Sequence, residues 1–580
     1  MDRRGAIISL RTLMERKGIS AMIIPSNDPH FGEYIPDHYK CREWLSCFTG
    51  SAGTLVVTGQ SAALWTDSRY FVQADKELAG TGILLMKLKI AGTPSIPEWI
   101  KSELPEGGTV AIDEDLFTYS EYKGYQSALD PLKVEMISDP FDEIWEGRPS
   151  LEFHSVECMP ESVSGESVIS KRKRLCAALG VGTPFAYVVT ALDEIAWLCN
   201  IRGCDVEYNP LVIAYAIVTT DKITLFGCVD MFPEQVKSYL RSQNVEIVGY
   251  SSFTDALKGM GDDVVKIFSS DQATVKNYMA AGPNILPDPT TGGTLNLMKA
   301  KKNSVELDGF RRACAEDAKA WKKLLEYLRV NIVEKDPQEY ILNPLTEYDI
   351  AEKLIEFRKE SEDYRGESFE PIVAYAANGA LPHYTATKES CSVIRQRGFL
   401  LIDSGAQYTY GTTDTTRTIP MGPLTQEEME DYTAVLKGMT DLSMARFPQG
   451  TRGAQLDILA RGPLFSRGKK YLHGTGHGIG HYLCVHEGPQ SIRMEENPVH
   501  LYPGMVLSNE PAVYVEGSHG IRIENTIVVS PWKVGDDGEY YEFETITQIP
   551  ISTVPVVWSR LSEEEKQWLY YHGFIDQPPM

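Results

Sequence analysis

In the C-terminal half of the chain, carboxylates stand where a charge is expensive. Asp403 closes the apolar run FLLI, Glu510 sits in MVLSNEP and Glu524 in GIRIENT, each inside or just after a strand-like stretch. An ionised carboxylate taken out of water without a partner is strongly disfavoured, so a fold that buries these residues must bring something cationic to them. Arg522 can serve one glutamate by itself, which keeps an ordinary salt bridge open for Glu510 or Glu524 taken singly. Asp403 has a plain alternative as well, because Asp at a strand end commonly caps a turn.

Two further features narrow the choice. Asp414 lies in TTDTTR, eleven residues after Asp403, with the turn formers Ser404, Gly405 and Gly411 between them, and a hairpin would put both carboxylates on neighbouring strands. The stretch HGTGHGIGHYLCVH holds His473, His477, His481 and His486, four of the 11 histidines in the chain, among glycines that let backbone approach a ligand closely. Those glycines fit neither a phosphate loop, which needs Gly-Lys-Ser/Thr, nor the dinucleotide fingerprint. Cys484 reads as a core thiol, since the ten cysteines are scattered singly with no CxxC pair and no zinc-type spacing. Four carboxylates and a histidine form an oxygen-rich set suited to two divalent ions, Mn²⁺, Co²⁺ or Zn²⁺, that share bridging carboxylates. Two such ions about 3.5–4 Å apart generate hydroxide and clamp a tetrahedral oxyanion, which is the chemistry of acyl-bond hydrolysis.

The chain around these residues is long enough for several domains, 580 residues where one core stops growing near about 250–300. The first part alternates helix-like Ile7 to Arg16, strand-like Ala21 to Pro25 and a strand pair, Gly53 to Thr58 and Ala62 to Trp65, which predicts an α/β domain over 1–150. After the polar, turn-rich 148–170, a second α/β domain over 151–302 begins with helix-like Lys171 to Leu179. It carries strand-like Ala186 to Thr190 and Leu211 to Val218 and runs out in the loop LPDPTTGGTLNLMKAKK. The third domain, 303–580, opens on a capping box of Asn303 and Glu306 before a long helix with Phe310, Cys314, Trp321, Leu324, Leu325 and Leu328 at helical spacing. Thr346 with Asp349 and Thr425 with Glu428 start two more helices. Phe399 to Ile402, Met505 to Leu507 and Ala512 to Val515 read as strands, so the class is α+β. No internal repeat is visible, which leaves a distant structural duplication open.

Fifty-six basic against 80 acidic residues, net −24, disfavour nucleic acid and anionic membranes as partners. The local basic run, Lys171 to Arg174, heads a helix and reads as a solvated face. The N-terminal apolar stretch is broken at Arg11 after five residues. No run of about 18 uncharged apolar residues occurs, and no Asn-x-Ser/Thr sequon is present. These absences lead us to expect a cytoplasmic protein.

The phrases IDSGA, TTDTTRT, HGTGHGIGH, HEGP, SNEPAVY and IRIEN, in that order, resemble the metallopeptidases of the pita-bread fold. With FGEYIPDHYKCREWLSCFTGSAGT, WTDSRYF and the C-terminal WLYYHGFID, the chain is most similar to the three-domain, cytosolic-type Xaa-Pro aminopeptidases (aminopeptidase P) over nearly its whole length. The resemblance implies a pita-bread catalytic domain with a C-terminal capping region, behind two creatinase N-terminal-like domains. It also implies release of an N-terminal residue before proline by a bridging hydroxide, and a homodimer. Asp403 would chelate one metal, Asp414 and Glu524 would bridge both, and His477 and Glu510 would complete the second site, with manganese the expected metal. His383, in PHYT, and His486 would contact the substrate and stabilise the intermediate, His473 would lie near the proline subsite, and Glu510 would shuttle the proton. Arg69 and Glu33 match positions that approach the substrate, although Arg69 could instead pair with Asp67 or another acid. Arg522 would gate the substrate or hold Glu524.

Rival readings share the architecture. Prolidase usually has one N-terminal domain and methionine aminopeptidase lacks two large ones. A creatinase-like amidinohydrolase needs no metal, and a non-catalytic binding module would have lost ligands. All five ligands are present here, on a chain long enough for three domains.

Overall fold

The computed structural model describes residues 3–575 except Thr183 and Asp271, so Asp576 of the C-terminal motif lies outside the described residues. The chain forms two compact units, one of residues 1–159 and 166–295, the other of 160–165 and 296–580.

The first unit contains two six-stranded sheets. The first has the order β4-β3-β2-β1-β5-β6, from β1 (Ala21–Pro25), β2 (Thr54–Thr58), β3 (Ala62–Thr66), β4 (Leu84–Lys87), β5 (Thr109–Asp113) and β6 (Lys133–Ile137). The second has the order β10-β9-β8-β7-β11-β12, from β7 (Phe185–Val189), β8 (Tyr215–Val218), β9 (Ile223–Gly227), β10 (Val245–Gly249), β11 (Val265–Phe268) and β12 (Ile285–Leu286). Strand for strand the two match. The first strand pairs antiparallel with the second and the second with the third, the third runs parallel to the fourth, and the first runs parallel to the fifth and the fifth to the sixth. The unit is therefore a structural duplication with no trace in the letters.

Strand alternation explains why these segments read as unbroken apolar runs. Met22, Ile24, Leu55 and Val57 pack on one face of the first sheet, while Ile23 and its cross-strand partner Val56 pack on the other. With both faces covered, every position is a core position.

Three expectations change here. Of Leu211 to Val218 only Tyr215–Val218 forms a strand. The backbone of 211 and 213 is held by Asp205, whose N–H donates to the Leu211 carbonyl (3.2 Å) and whose carboxylate accepts from the Ile213 N–H (2.8 Å). Within the supposed loop 286–302, Thr294–Ala300 is helical, with Leu295 and Ala300 fully buried. In the basic run, Lys173 and Arg174 are exposed, but Lys171 and Arg172 are buried. Lys171 Nζ donates to the Trp197 carbonyl (2.8 Å) and Asn200 Oδ1 (2.7 Å) and lies 4.1 Å from the Trp197 ring centroid, and Arg172 donates to the Thr220 carbonyl.

The second unit is α+β, as expected. Its long helix α1 (Ser304–Leu328) starts on the Asn303/Glu306 capping box and packs with α2 (Glu347–Arg358) on a three-stranded sheet, β13 (Ile372–Tyr375), β14 (Phe399–Ser404) and β15 (Thr415–Pro420), with β14 central. Trp321, Leu324, Leu328, Ile350 and Leu354 meet Val373, Leu400 and Ile402 there. Helices α3 (Gln426–Ser443) and α4 (Gly453–Phe465) cover a second sheet. Its order is β16-β23-β22-β19-β17-β18, from β16 (Arg446–Pro448), β17 (Gly476–Gly478), β18 (Glu487–Ile492), β19 (Val506–Asn509), β22 (Asn525–Gly535) and β23 (Gly538–Thr545). The hairpin of β20 (Ala512–Val515) and β21 (His519–Arg522) lies between β19 and β22 in sequence. Burial of each large apolar side chain contributes about 1.5–3 kcal/mol, so these blocks stabilise the unit.

Candidate metal centre

The carboxylates stand at or just beyond strand ends, and the histidine within a strand. β14 and β15 pair antiparallel with Asp403 opposite Thr416, and Asp414 immediately precedes β15, so the two aspartates come from neighbouring strands. They are not joined by a simple hairpin, because Ala406–Tyr408 and Gly411–Thr412 leave to form a separate small sheet with Tyr364–Glu367. His477 is the middle residue of β17. Gly476 beside it is required by packing, since a Cβ there would fall 2.0 Å from the Ser508 carbonyl oxygen of β19. Glu510 follows β19, its N–H donating to the Thr475 carbonyl (2.8 Å). Glu524 follows β21, its N–H donating to the Thr416 carbonyl (3.1 Å).

These five side chains meet. Asp403, Asp414 and Glu524 each offer a ligand atom within 4.8 Å of the others, and so do His477, Glu510 and Glu524, and Asp414, His477 and His486. His477 Nδ1 faces the Gly478 carbonyl at 3.0 Å; a carbonyl only accepts, so Nδ1 carries the proton. That leaves Nε2 as a lone-pair donor, 3.4 Å from Asp414 Oδ2 and 3.5 Å from Glu510 Oε1, with the ring oriented as a metal ligand. Thr416 Oγ1 donates to Glu524 Oε2 (2.8 Å) and Ser508 Oγ to Glu510 Oε1 (3.4 Å).

The protein alone leaves this cluster short of positive charge. Arg522 Nη2 donates to Asp403 Oδ2 (2.5 Å), yet Asp403 Oδ1 is buried without a hydrogen-bond partner. Burial pushes the Asp403 carboxyl up against the opposing pull of Arg522. It pushes Glu510 up to about 7, with Asp414 and Asp403 adding to it, and pushes Glu524 well above the usual carboxylate range, with Asp414 and Glu510 adding to that. Four carboxylates and one imidazole with an orphaned oxygen fit a pair of divalent cations. Of the cluster's carboxylates, the one that Arg522 hydrogen-bonds is that of Asp403. Cross-strand pairing sets this, because Arg522 N and the Arg522 carbonyl both bond Thr418 Oγ1, which aligns its guanidinium with the end of β14.

The other histidines surround the cluster. His486 packs edge-on against His477, ring centroids 4.3 Å apart. His473 donates from Nδ1 to the Gly474 carbonyl (2.7 Å), and its Nε2 accepts from the Tyr514 hydroxyl (2.9 Å), which itself accepts from Arg522 Nη1 (2.6 Å). Burial first and Arg522 second push His473 down to about 3, so it is neutral. His383 is half-buried and close enough to His473 to help disfavour its charged form. His481 is buried and outside these groups, and Cys484 is half-buried rather than core. Arg69 and Glu33 belong to the first unit, where Arg69 pairs with Asp67 through Nε (2.9 Å) and Nη2 (2.8 Å) and Glu33 adds its charge nearby.

Two groups of supporting residues carry no signal that singles them out in the sequence. Tyr514 links His473 to Arg522, and nothing distinguishes it from any strand tyrosine. Beneath the histidine strand, buried Arg461 donates to Asp457 (2.5 Å) and to the Tyr471 and His473 carbonyls (2.8 Å each), while Asp457 accepts from Thr475 Oγ1 (2.5 Å). Arg461 and Asp457 are four apart on α4, a spacing that could have flagged a pair but not its burial.

Comparison with known proteins agrees with this geometry. Residues 308–531 match the model of metallopeptidase family M24, and residues 7–144 and 147–306 match two models of the creatinase/prolidase N-terminal domain. The chain is 36% identical to a probable Xaa-Pro aminopeptidase P of Coprinopsis cinerea, covering 100% of this chain and 95% of that protein. It is 37% identical to Xaa-Pro aminopeptidase 1 of Dictyostelium discoideum, covering 97% and 91%. Among solved structures, an X-prolyl aminopeptidase of Caenorhabditis elegans, described as a cytosolic enzyme with a di-nuclear active site, superposes with a TM-score of 0.91 at 31% identity, covering 99% of this chain and 95% of that one. A Xaa-Pro dipeptidase of Bacillus anthracis shares the fold at a TM-score of 0.52 and 23% identity over 67% of this chain.

Proposed function

This chain belongs to the Xaa-Pro aminopeptidase family, and on that footing we propose how its residues divide the work of releasing an N-terminal residue that precedes proline. The protein is a metalloaminopeptidase: two creatinase-type N-terminal domains precede an M24 pita-bread domain with a dinuclear metal site. We set the domain boundaries after 150 and 302, supported by the junctions of the matched regions near 144–147 and 306–308.

The observation that carries the residue roles is the overlap of the ligand groups. Asp414, Glu524 and His477 each belong to two of them, and of these three only the carboxylates have two oxygens with which to reach two ions; Asp403 and Glu510 belong to one. Asp414 and Glu524 would thus bridge the two ions, Asp403 would complete one site, and His477 with Glu510 the other. When bound, two divalent ions there supply hydroxide at neutral pH and polarise the scissile carbonyl; the oxygen-rich set suits Mn²⁺, with Co²⁺ or Zn²⁺ as substitutes. Glu510, held by Ser508 Oγ beside His477 at the edge of the cluster, would take a proton from the attacking water and return it to the prolyl nitrogen. His486 and His383 donate to the developing oxyanion. Neutral His473, flanked by the rings of Tyr471 and Tyr514 at 4.8 and 5.6 Å, gives the pyrrolidine ring an uncharged aromatic wall. A prolyl amide has no N–H and a fixed φ, so it needs such a dedicated pocket.

Arg69 and Glu33 contact substrate in our reading, contributed by the partner subunit of a homodimer, and the enzyme works in the cytoplasm. The cytosolic description of the Caenorhabditis elegans enzyme supports the location, and among the described residues no helix is long and apolar enough to cross a membrane. A prolidase-like dipeptidase is the rival. Arg-Pro-Pro and Arg-Pro, offered separately with Mn²⁺, distinguish the two: preferred release of arginine from the tripeptide is expected, and cleavage confined to the dipeptide would refute the assignment.

A further inference from the structure

Glu347, the first residue of α2, has no exposed surface, and its carboxylate is held by four neutral donors. Oε1 accepts from the Tyr375 N–H (2.6 Å) and Asn378 Nδ2 (2.9 Å); Oε2 accepts from the Tyr384 hydroxyl (2.7 Å) and the Ser392 N–H (2.6 Å). Asn378 Nδ2 also reaches Oε2 (3.2 Å) and Ser392 Oγ (2.9 Å), and the Glu347 N–H donates to the Ser392 carbonyl (3.1 Å). Hydrogen bonds to an ionised acceptor are the strong ones, and losing them would strand a charge in the interior.

The four donors share one purpose in the chain. Positions 375, 378, 384 and 392 span the connection from β13 to β14, whose only regular element is the short turn Ala376–Ala380. His383 lies inside that span, next to Tyr384. The same connection is seated on the metal-centre hairpin: a Cβ on Gly520 would fall 1.6 Å from the Gly379 carbonyl oxygen, so the loop backbone lies directly on β21, two residues from Arg522. A segment with so little secondary structure would otherwise move freely, and a displacement of about 1 Å at a donor can cost on the order of 10²-fold in rate.

We infer that Glu347 is a positioning residue for His383, its carboxylate anchoring the 376–392 connection that rests against the metal centre. The inference rests on the role given to His383 above. Glu347 touches no reacting atom; it acts only through the loop.

Glu347→Gln keeps the shape but turns one acceptor into a donor that faces the Tyr384 hydroxyl or the Ser392 N–H. The expected enzyme binds two metal ions per chain, shows faster amide hydrogen exchange across 376–392, and loses kcat by about 10–10²-fold. Adding His383→Ala to it lowers kcat by less than a further twofold, because both changes remove the same interaction. Wild-type kcat in Glu347→Gln, or losses that multiply in the double variant, would overturn the proposal. Should Glu347→Gln not fold, Tyr384→Phe and Asn378→Ala, each deleting one donor, must show the same exchange change and the same lack of additivity with His383→Ala. His383→Ala alone with wild-type kcat would instead overturn the role given to His383, a result distinguishable because it needs no change at Glu347.

Discussion

Two regions, one in each unit, bury charge in opposite ways. In the first, Arg42 donates to the Phe48 and Gly50 carbonyls and to Ser26 Oγ (2.9 Å), and Lys171 to the Trp197 carbonyl and Asn200 Oδ1; these cations spend their donors on fixed neutral acceptors. In the second, Asp403, Asp414 and Glu524 crowd within reach of one another, Arg522 pairs with only one of these carboxylates, and Asp403 Oδ1 has no hydrogen-bond partner. A saturated buried charge ties elements together. A deficient one is kept for something the chain does not itself supply. Glu347, saturated by neutral donors within the catalytic unit, shows that the distinction follows local chemistry rather than the domain.

The largest effect is expected where the deficit is greatest. Asp414→Asn or Glu524→Gln should remove bound metal and lower kcat by more than about 10³-fold. Because each relieves repulsion among uncompensated carboxylates, the metal-free variants should melt no lower than metal-free wild type. Full activity in either would sink the bridging assignment. His486→Ala comes next, with a kcat loss of about 10²-fold and metal content intact. Loss of metal would instead make it a ligand, an outcome its place in a group with Asp414 and His477 makes worth measuring.

The pH dependence of metal-free protein sharpens the same contrast. Glu510 has a folded pKa raised to about 7, so between its ordinary 4.5 and 7 the unfolded chain has lost a proton that the folded chain keeps. Stability of the metal-free protein should therefore fall as pH rises through that window, by up to about 1.4 kcal/mol per pH unit for each such group. Added Mn²⁺ should abolish the slope, and a flat metal-free profile would contradict the electrostatic account. The smallest effect on activity is expected at a saturated charge. Lys171→Met should destabilise the fold by about 1–3 kcal/mol through stranded acceptors, with kcat and metal content unchanged; altered metal content would erase the contrast between the units.

Much of the metal centre is legible in the sequence because a carboxylate set in an apolar run must be met by a cation, and FLLID, SNEP and IRIEN display such carboxylates openly. Their pairing is not. Arg522 meets Asp403 across 119 residues, a relation set by strand register that no local pattern carries. The duplication in the first unit is hidden for a similar reason: AMIIP and FAYVV occupy equivalent central strands, but a strand buried on both faces demands only apolar bulk, not particular letters. Lys171 departs from the solvated face its neighbours suggest because a lysine that keeps its charge inside needs a carbonyl and an aromatic face, and both come from residues 26 or more positions away.

The claim that five side chains hold two catalytic ions is tested most directly by metal titration of exhaustively chelated enzyme, with bound ions counted while arginine release from Arg-Pro-Pro is followed. Activity should vanish on chelation and return as Mn²⁺ fills two sites per chain. Cleavage that survives complete chelation would contradict the account.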